Sequence, residues 1–225
     1  MGDQSADYKV FFLERHGEAF SNVHHHKALE SEMRDPQLAL EGFLQAQHVQ
    51  SVWESELVAG IGLPQLSYCS PFTRTLATNT ITFGNLLGAS SLKTTIVENC
   101  REQVIPDKIE HRRPAEYIKE ILPSVKDKKM LPSPCIVFEA NFAEYDPYWV
   151  HKPGSDDDSN DEPANTNPES DDSFRKRIQG VLGEIFEQHK DKIFIHITTH
   201  AGWIKMFCRI LGRHPYGTIN GGMTL

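Results

Sequence analysis

The sequence has no excess of basic residues. Its 23 Lys and Arg stand against 31 Asp and Glu, which gives a net charge of -8 and an isoelectric point of about 5.7. Nucleic acids and anionic membranes are bound by basic surfaces, so the composition argues against both as partners. The sequence has no apolar run long enough to span a bilayer, and Met1–Ala6 does not resemble a signal peptide. We expect a cytoplasmic or nuclear protein whose oligomeric state the sequence leaves open.

Cysteine is scarce as well. The 4 cysteines, Cys69, Cys100, Cys135 and Cys208, show no paired spacing of the kind found in metal sites, which favours a reduced, intracellular protein. The run His24, His25, His26 does not predict a metal site either. Adjacent histidines on one element point in different directions, and no carboxylate or thiolate follows at a suitable spacing. We therefore expect no metal and no cofactor.

Strand-like and helix-like segments alternate along the chain. Segments rich in β-branched and aromatic residues predict strands over Tyr8–Leu13, Gln65–Ser70, Leu92–Val97 and Lys192–Thr198. Apolar residues at three- and four-residue spacing predict helices over Leu40–Trp53, Phe72–Leu87, Phe174–Phe186 and Ala201–Leu211. This alternation predicts an α/β fold, a three-layer α/β/α sandwich with a mainly parallel central sheet, forming a single domain over residues 1–225.

Two segments carry no clear pattern. Val125–Pro134 has a Lys-rich turn and two prolines, and Gly154–Asp172 is acidic with almost no apolar side chains. A segment of that second composition buries too little apolar surface to order itself. We expect a mobile acidic loop over residues 154–172, with a role as a lid or docking segment as the alternative.

Two predicted strands end at a histidine. Arg15-His16-Gly17-Glu18 follows the first strand, and Thr199-His200-Ala201-Gly202 follows the last. In open α/β sheets, ligands bind beyond the carboxyl ends of the strands, so we expect His16 and His200 to share one pocket. The Arg15-His16 pair predicts an anion site that contains a nucleophile.

The residue types around this pair suit a phosphoryl group. A neutral imidazole can attack phosphorus, and guanidinium groups bind the phosphoryl oxygens with charge-assisted hydrogen bonds. Arg74 lies about one turn into the helix after the second strand, from which it can reach the same sheet edge. Asn22 adds an amide near the tip of the first strand.

Phosphoryl transfer also needs a proton for the leaving oxygen. Glu102 comes just past the third predicted strand and is the candidate acid. The same carboxylate could then deprotonate the water that hydrolyses a phosphohistidine. A protonated His200 would donate to the phosphoryl oxygens as their charge grows in the transition state.

Each of these residues also has a purely structural reading. His16 could be a capping or surface histidine, Asn22 a turn residue that orders its own backbone, and Arg74 and Glu102 solvated surface charges. The cluster His111-Arg112-Arg113 is equally compatible with the substrate mouth and with a solvated surface. Glu14, directly before Arg15, either pairs with an arginine of the pocket or points away from it.

Five short motifs occur in an order that resembles a known family. They are Arg15-His16-Gly17-Glu18 with Asn22, Leu38 to Ala46, Ser70 to Thr75, Arg101-Glu102, and Thr199 to Gly202. The pattern resembles the histidine phosphatase superfamily, branch 1, which is phosphoglycerate-mutase-like, and it spans nearly the whole chain. Within that group the sequence looks most like fungal phosphomutase-like proteins.

The resemblance implies a role for each matching residue. His16 would be phosphorylated, Glu102 would donate the proton, and the phosphate pocket would be formed by Arg15, Asn22, Arg74, His200 and the amide of Ala201. The expected activity is metal-independent hydrolysis of small phosphomonoesters through a phosphohistidine. A phosphoglycerate-type phosphomutase and a non-catalytic phosphatase-like binding module are the alternatives.

Overall fold

The computed structural model describes residues 8–23, 33–126, 135–152 and 161–224. The histidine run 24–26 therefore lies outside the described residues, as does the first part of the predicted acidic loop. The strands are β1 Val10–Arg15, β2 Leu66–Cys69, β3 Lys93–Ile96, β4 Cys135–Phe138, β5 Trp149–Val150, β6 Glu162–Pro163, β7 Phe194–Thr199 and β8 Met223–Thr224. The helices are α1 Leu40–Val58, α2 Thr73–Phe83, α3 Ala115–Lys126, α4 Asp171–Gln188 and α5 Ala201–Ile210.

The central sheet has six strands in the order β4-β3-β2-β7-β1-β8. Neighbouring strands from β4 to β1 are parallel, and only the short β8 pairs antiparallel, with β1. The predicted α/β fold with a mainly parallel sheet is confirmed. The strands β1 and β7, from opposite ends of the chain, are direct neighbours at its centre.

Alternating side chains of the sheet build a core on each face. Leu13 of β1 and Ile195 of β7 pack with α4 and α5 around Trp203. Phe12, the neighbour of Leu13, points to the opposite face and packs with α1 and α2 around Trp53. Because successive residues of a strand point to opposite faces, these two clusters place helices on both sides of the sheet.

The structure corrects the expectation for one of the two irregular segments and shows contacts within the other. Val125 and Lys126 form the end of α3, a helix that the sequence reading missed, while residues 127–134 lie outside the described part. Within 154–172, residues 161–172 include β6 and the start of α4. Asp161 Oδ2 lies 3.4 Å from His111 Nε2, and Glu169 Oε2 lies 2.7 Å from Arg177 Nη2. These polar contacts, one with a residue far away in the sequence and one with the following helix, are not signalled by composition alone.

None of the helices in the described part of the chain has the length and apolar character needed to cross a membrane.

Glu14 lies on the face of the sheet that α1 and α2 cover, and it is fully buried. Its Oε1 accepts a hydrogen bond from Thr82 Oγ1 (2.6 Å), and its Oε2 accepts one from Thr198 Oγ1 (3.4 Å) and lies 3.2 Å from His196 Nε2. Of the two alternatives for Glu14, the structure supports the one in which it points away from the arginines of the predicted pocket.

Replacing Glu14 with Ala should lower the free energy of unfolding by about 2–4 kcal/mol, because Thr82 and Thr198 lose their acceptor in a buried site. Glu14→Gln keeps a carbonyl acceptor and should cost less than Glu14→Ala. Urea unfolding at pH 7 measures both changes. Equal losses for the two variants would contradict the role of Glu14 as a hydrogen-bond acceptor.

Candidate active site

The carboxyl ends of β1 and β7 bring the two histidines together. In the parallel register Arg15 faces Thr199, and the His16 backbone N–H donates to the Thr199 carbonyl (3.0 Å). The next residue after Thr199 is His200, and the centroids of the His16 and His200 rings lie 5.1 Å apart. The expected shared pocket therefore follows from the pairing of the first and last long strands.

His16 is held as a neutral imidazole. Its Nδ1 lies 2.7 Å from the Gly17 carbonyl, which can only accept, so Nδ1 carries the proton and Nε2 keeps its lone pair. Burial, Arg74 and Arg15 lower the pKa of His16 well below its ordinary value, although the Gly17 carbonyl opposes this shift. A neutral ring with a free lone pair on Nε2 is the form in which a histidine acts as a nucleophile.

His200 is also neutral in this state; the protonated form that we expect concerns the transition state. Its Nδ1 lies 3.4 Å from Arg74 Nη2, and its Nε2 lies 2.8 Å from Ser70 Oγ. A guanidinium only donates, so Nδ1 accepts and Nε2–H donates to the serine oxygen. Burial, followed by the charge of Arg74, lowers the pKa of His200 well below its ordinary value. The negative charge that grows on the phosphoryl oxygens in a transition state would favour the protonated form again.

Arg74 lies in the first turn of α2 with only 4% of its surface exposed. Its guanidinium stacks on Phe72 with 4.5 Å between the Cζ atom and the ring centroid. Arg74 Nη2 donates to Glu110 Oε1 (2.8 Å), and Arg74 Nη1 lies 3.9 Å from Asp35 Oδ1. Arg74 therefore shares its charge between two carboxylates in a buried site.

Arg15 brings a second cation to the same sheet edge. It is half-buried, and its Nη1 donates to the Thr218 carbonyl (2.8 Å). Its charge and that of Arg74 both act on the two histidines. The protein carries a net charge of -8, so these two arginines are a local concentration of positive charge in an acidic protein.

Glu102 lies against the start of α5. Its Oε2 accepts from the Gly202 N–H (2.8 Å) and its Oε1 accepts from the Gln103 N–H (3.0 Å). A methyl group at position 202 would lie 2.9 Å from Glu102 Cδ, so only glycine leaves the carboxylate where it is. Residue 202 thus fixes the candidate proton donor beside His200.

The loop that carries Glu102 is tied to α4 by Arg177. This guanidinium donates to the carbonyls of Asn99, Arg101 and Glu102, each at 3.0 Å, and pairs with Glu169. Sequence reasoning placed Arg177 on an amphipathic helix and assigned it no role. Its function depends on contacts between residues far apart in the sequence, which no local pattern signals.

Asn22 and Ala201 differ in what they contribute. Asn22 Oδ1 accepts from the Ala19 N–H (3.0 Å), so this side chain orders its own turn, as the structural alternative expected. Ala201 is the first residue of α5, where backbone N–H groups and the helix dipole favour an anion.

Sequence reasoning also missed Ser70 and Glu110. Ser70 is the first residue of one of the family motifs, and its hydroxyl forms a hydrogen bond with His200. Glu110 lies in the short 3₁₀ turn Lys108–Glu110 and holds Arg74. Both are polar residues beside motif residues, but only the folded chain shows their orientation.

The cluster His111-Arg112-Arg113 is not one surface. Arg112 is fully buried, pairing with Glu98 (2.8 Å) and donating to backbone carbonyls, and His111 stacks on Trp149 with 4.2 Å between ring centroids. These two residues therefore support neither the substrate mouth nor a solvated surface. Arg113 lines a cavity of about 320 Å³ together with Tyr117.

Within the described residues, no group of three or more His, Cys, Asp or Glu side chains is arranged to hold a metal ion. Cys69 and Cys100 are fully buried, and burial raises the pKa of both thiols well above the ordinary value. They are small core residues rather than nucleophiles.

Comparison of sequences supports the resemblance inferred from the motifs. Residues 139–221 match the family model of the histidine phosphatase superfamily (branch 1). Over 236 aligned residues the chain is 26% identical to a "Probable phosphoglycerate mutase" of Arthroderma benhamiae, covering 96% of this chain. The chain spans 62% of the length of that relative. The resemblance to this superfamily, and to a fungal member of it, is confirmed.

Solved structures share the fold at low identity. A "putative alpha-ribazole-5'-P phosphatase" from Escherichia coli is 17% identical with a TM-score of 0.57, covering 96% of this chain and 89% of its own. The ecdysone phosphate phosphatase from Bombix mori, solved in complex with tungstate, is 19% identical with a TM-score of 0.54, covering 93% and 80%. At these identities the comparison concerns the architecture alone.

The lowered pKa of His200 predicts how the free energy of unfolding depends on pH. As pH falls below about 6.5, the unfolded chain binds a proton at His200 that the folded chain does not, so the folded state loses up to ~1.4 kcal/mol per pH unit from this group. His200→Asn should make the decline between pH 7 and pH 5 shallower in urea unfolding experiments. The exposed residue His214 supplies the control, since His214→Asn should leave that slope unchanged. A wild-type slope in His200→Asn would contradict the prediction.

Proposed function

We propose that this chain, which resembles the histidine phosphatase superfamily in sequence and fold, hydrolyses phosphomonoesters of small molecules through a phosphohistidine at His16. The observation that carries the proposal is the state of His16. A buried neutral imidazole, with its Nδ1 proton bound to the Gly17 carbonyl, lies at the sheet edge beside His200 and Arg74. A purely structural histidine has no need of two arginines and a second histidine around it.

In the first step, the lone pair of His16 Nε2 attacks phosphorus. A P–N bond forms, the bond from phosphorus to the ester oxygen breaks, and Glu102 gives its proton to that oxygen so that it leaves as an alcohol. Arg15 and Arg74 bind the phosphoryl oxygens, and His200 donates to them as their charge grows. The amides at the start of α5 favour the same negative charge.

In the second step, water attacks phosphorus from the side that the alcohol has left. Glu102, now a carboxylate, takes a proton from this water as the new P–O bond forms. The P–N bond breaks, its electron pair returns to Nε2, and inorganic phosphate is released. His16 is again neutral and Glu102 is again protonated, so the cycle closes without a metal or cofactor.

A phosphomutase is the second candidate, favoured by the name of the Arthroderma benhamiae relative. It would use the same first step but return the phosphoryl group to a second hydroxyl instead of water. Incubation with 3-phosphoglycerate distinguishes the two activities: a phosphatase releases inorganic phosphate, whereas a mutase yields 2-phosphoglycerate. A non-catalytic binding module would give neither product.

The role of His16 is tested by His16→Ala with p-nitrophenyl phosphate as substrate. Loss of the nucleophile should lower kcat/KM by about 10³-fold or more. The wild type should also yield an acid-labile phosphoprotein after rapid quenching, and the variant should yield none. If the variant hydrolyses the ester as fast as the wild type, the phosphohistidine mechanism is wrong.

The position of Glu102 is tested through Gly202. The added methyl group of Gly202→Ala displaces the carboxylate, so hydrolysis of an alkyl phosphate should fall by about 10- to 100-fold, whereas p-nitrophenyl phosphate, whose leaving group needs no proton, should lose much less. Glu102→Gln should show the same contrast between the two substrates.

The matched control is Gly180→Ala in α4, an exposed helical glycine whose added methyl group meets nothing within 4 Å. It should leave both activities unchanged and stabilise the helix by ~1 kcal/mol. Equal losses on both substrates in Gly202→Ala would remove Glu102 from the role of acid.

A further inference from the structure

Glu110 is a buried carboxyl group that the proposed reaction does not use. Only 6% of its side chain is exposed, and its Oε1 accepts from Arg74 Nη2 at 2.8 Å. Among the residues that the structure describes, its Oε2 has no hydrogen-bond partner although it is buried. A carboxylate with one paired and one unpaired buried oxygen is costly to keep ionised.

The partner of Glu110 is the arginine that the proposed function assigns to the phosphoryl group. While Glu110 is ionised, much of the positive charge of Arg74 is neutralised before any ligand arrives. A bound phosphoryl dianion would then lie near a second anion on the same guanidinium, and this repulsion opposes binding. Protonation of Glu110 removes the repulsion and leaves its carbonyl oxygen as an acceptor for Arg74.

The environment of Glu110 shifts the pKa of its carboxyl group into the neutral range. Burial raises its pKa to about 7; the negative charge of Asp35, and that of Glu102 whenever Glu102 is ionised, acts in the same direction, and the positive charges of Arg74 and Arg101 oppose it. Asp35 is not an equivalent candidate. Burial raises the pKa of Asp35 as well, but both of its oxygens accept hydrogen bonds from Thr73, at 2.9 and 2.7 Å, and these donors oppose that shift.

We propose that Glu110 is a positioning residue for Arg74 that takes up one proton when a phosphoryl group binds. The proton moves from solvent to the carboxylate, and the Arg74 charge that Glu110 had neutralised becomes available to the phosphoryl oxygens. The inference rests on the proposed function only in that the pocket binds a tetrahedral dianion. It adds that this binding is coupled to proton uptake.

Sulfate is the probe for this coupling, because it stays a dianion across the neutral range and cannot itself take up the proton. Calorimetric titrations at pH 8 in two buffers of different ionisation enthalpy give the number of protons bound per sulfate. The wild type should take up close to one proton, and its affinity for sulfate should be about fivefold lower at pH 8 than at pH 7. Glu110→Gln keeps the amide carbonyl for Arg74 but cannot titrate, so it should take up no proton and bind sulfate equally well at both pH values.

Glu139→Gln is the matched control. Glu139 is a half-buried carboxyl whose pKa burial also raises, but it accepts from the Glu98 N–H, away from Arg74. This variant should keep the proton uptake and the pH dependence of the wild type. Loss of uptake in Glu139→Gln would show that the proton is not specific to Glu110.

Proton uptake that persists in Glu110→Gln would overturn the proposal and assign the proton to another group, such as His16 or His200. If Glu110→Gln does not fold, the wild type alone decides, because an affinity that is equal at pH 7 and pH 8 excludes the coupling. Failure of the phosphatase proposal looks different. In that case His16→Ala hydrolyses aryl phosphate like the wild type, while sulfate binding and its proton uptake stay unchanged.

Discussion

Arg74 is a cation whose side chain is almost completely buried. The arrangement of the pocket depends on the groups that interact with its charge. Asp35 and Glu110 stabilise it from one side, and Phe72 covers one face of the guanidinium. On the other side its charge adds to the effect of burial, which lowers the pKa of His16 and of His200 well below the ordinary value. The same cation thus acts on both histidines, and its own counter-charges determine how much of its charge an anion can use.

The backbone supplies the rest of the positioning. Parallel pairing of β1 with β7 fixes the separation of the two histidines. Helix α5 begins directly after His200, so its first backbone N–H groups lie at the same edge of the sheet. Glu102 reaches this point from a loop that Arg177 holds by three carbonyls. The groups that the proposed reaction uses therefore lie on strand ends and on a loop held by Arg177, and their geometry depends on packing in both cores of the domain.

Local sequence patterns predicted much of this structure, because the residues of a segment largely determine whether it forms a strand or a helix. A high content of β-branched and aromatic residues located β1 and β7, and the ends of these strands bring His16 and His200 to one edge of the sheet as expected. The orientation of Glu14 could not be predicted, because it depends on Thr82 and His196, which only the folded sheet brings near. The contacts of the acidic segment could not be predicted either: Asp161 lies 3.4 Å from His111 and Glu169 pairs with Arg177, and composition signals neither contact.

The adjacency of β1 and β7 also bears on how the chain reaches its native state. During synthesis β1 emerges first, and its central partner follows only after nearly the whole sequence has left the ribosome. Until then the edge of β1 that pairs with β7 is free. Phe12 and Leu13, which belong to the cores on opposite faces of the sheet, cannot yet pack against residues of β7. Contacts of such long sequence separation form slowly, so the pocket is complete only at the last stage of folding.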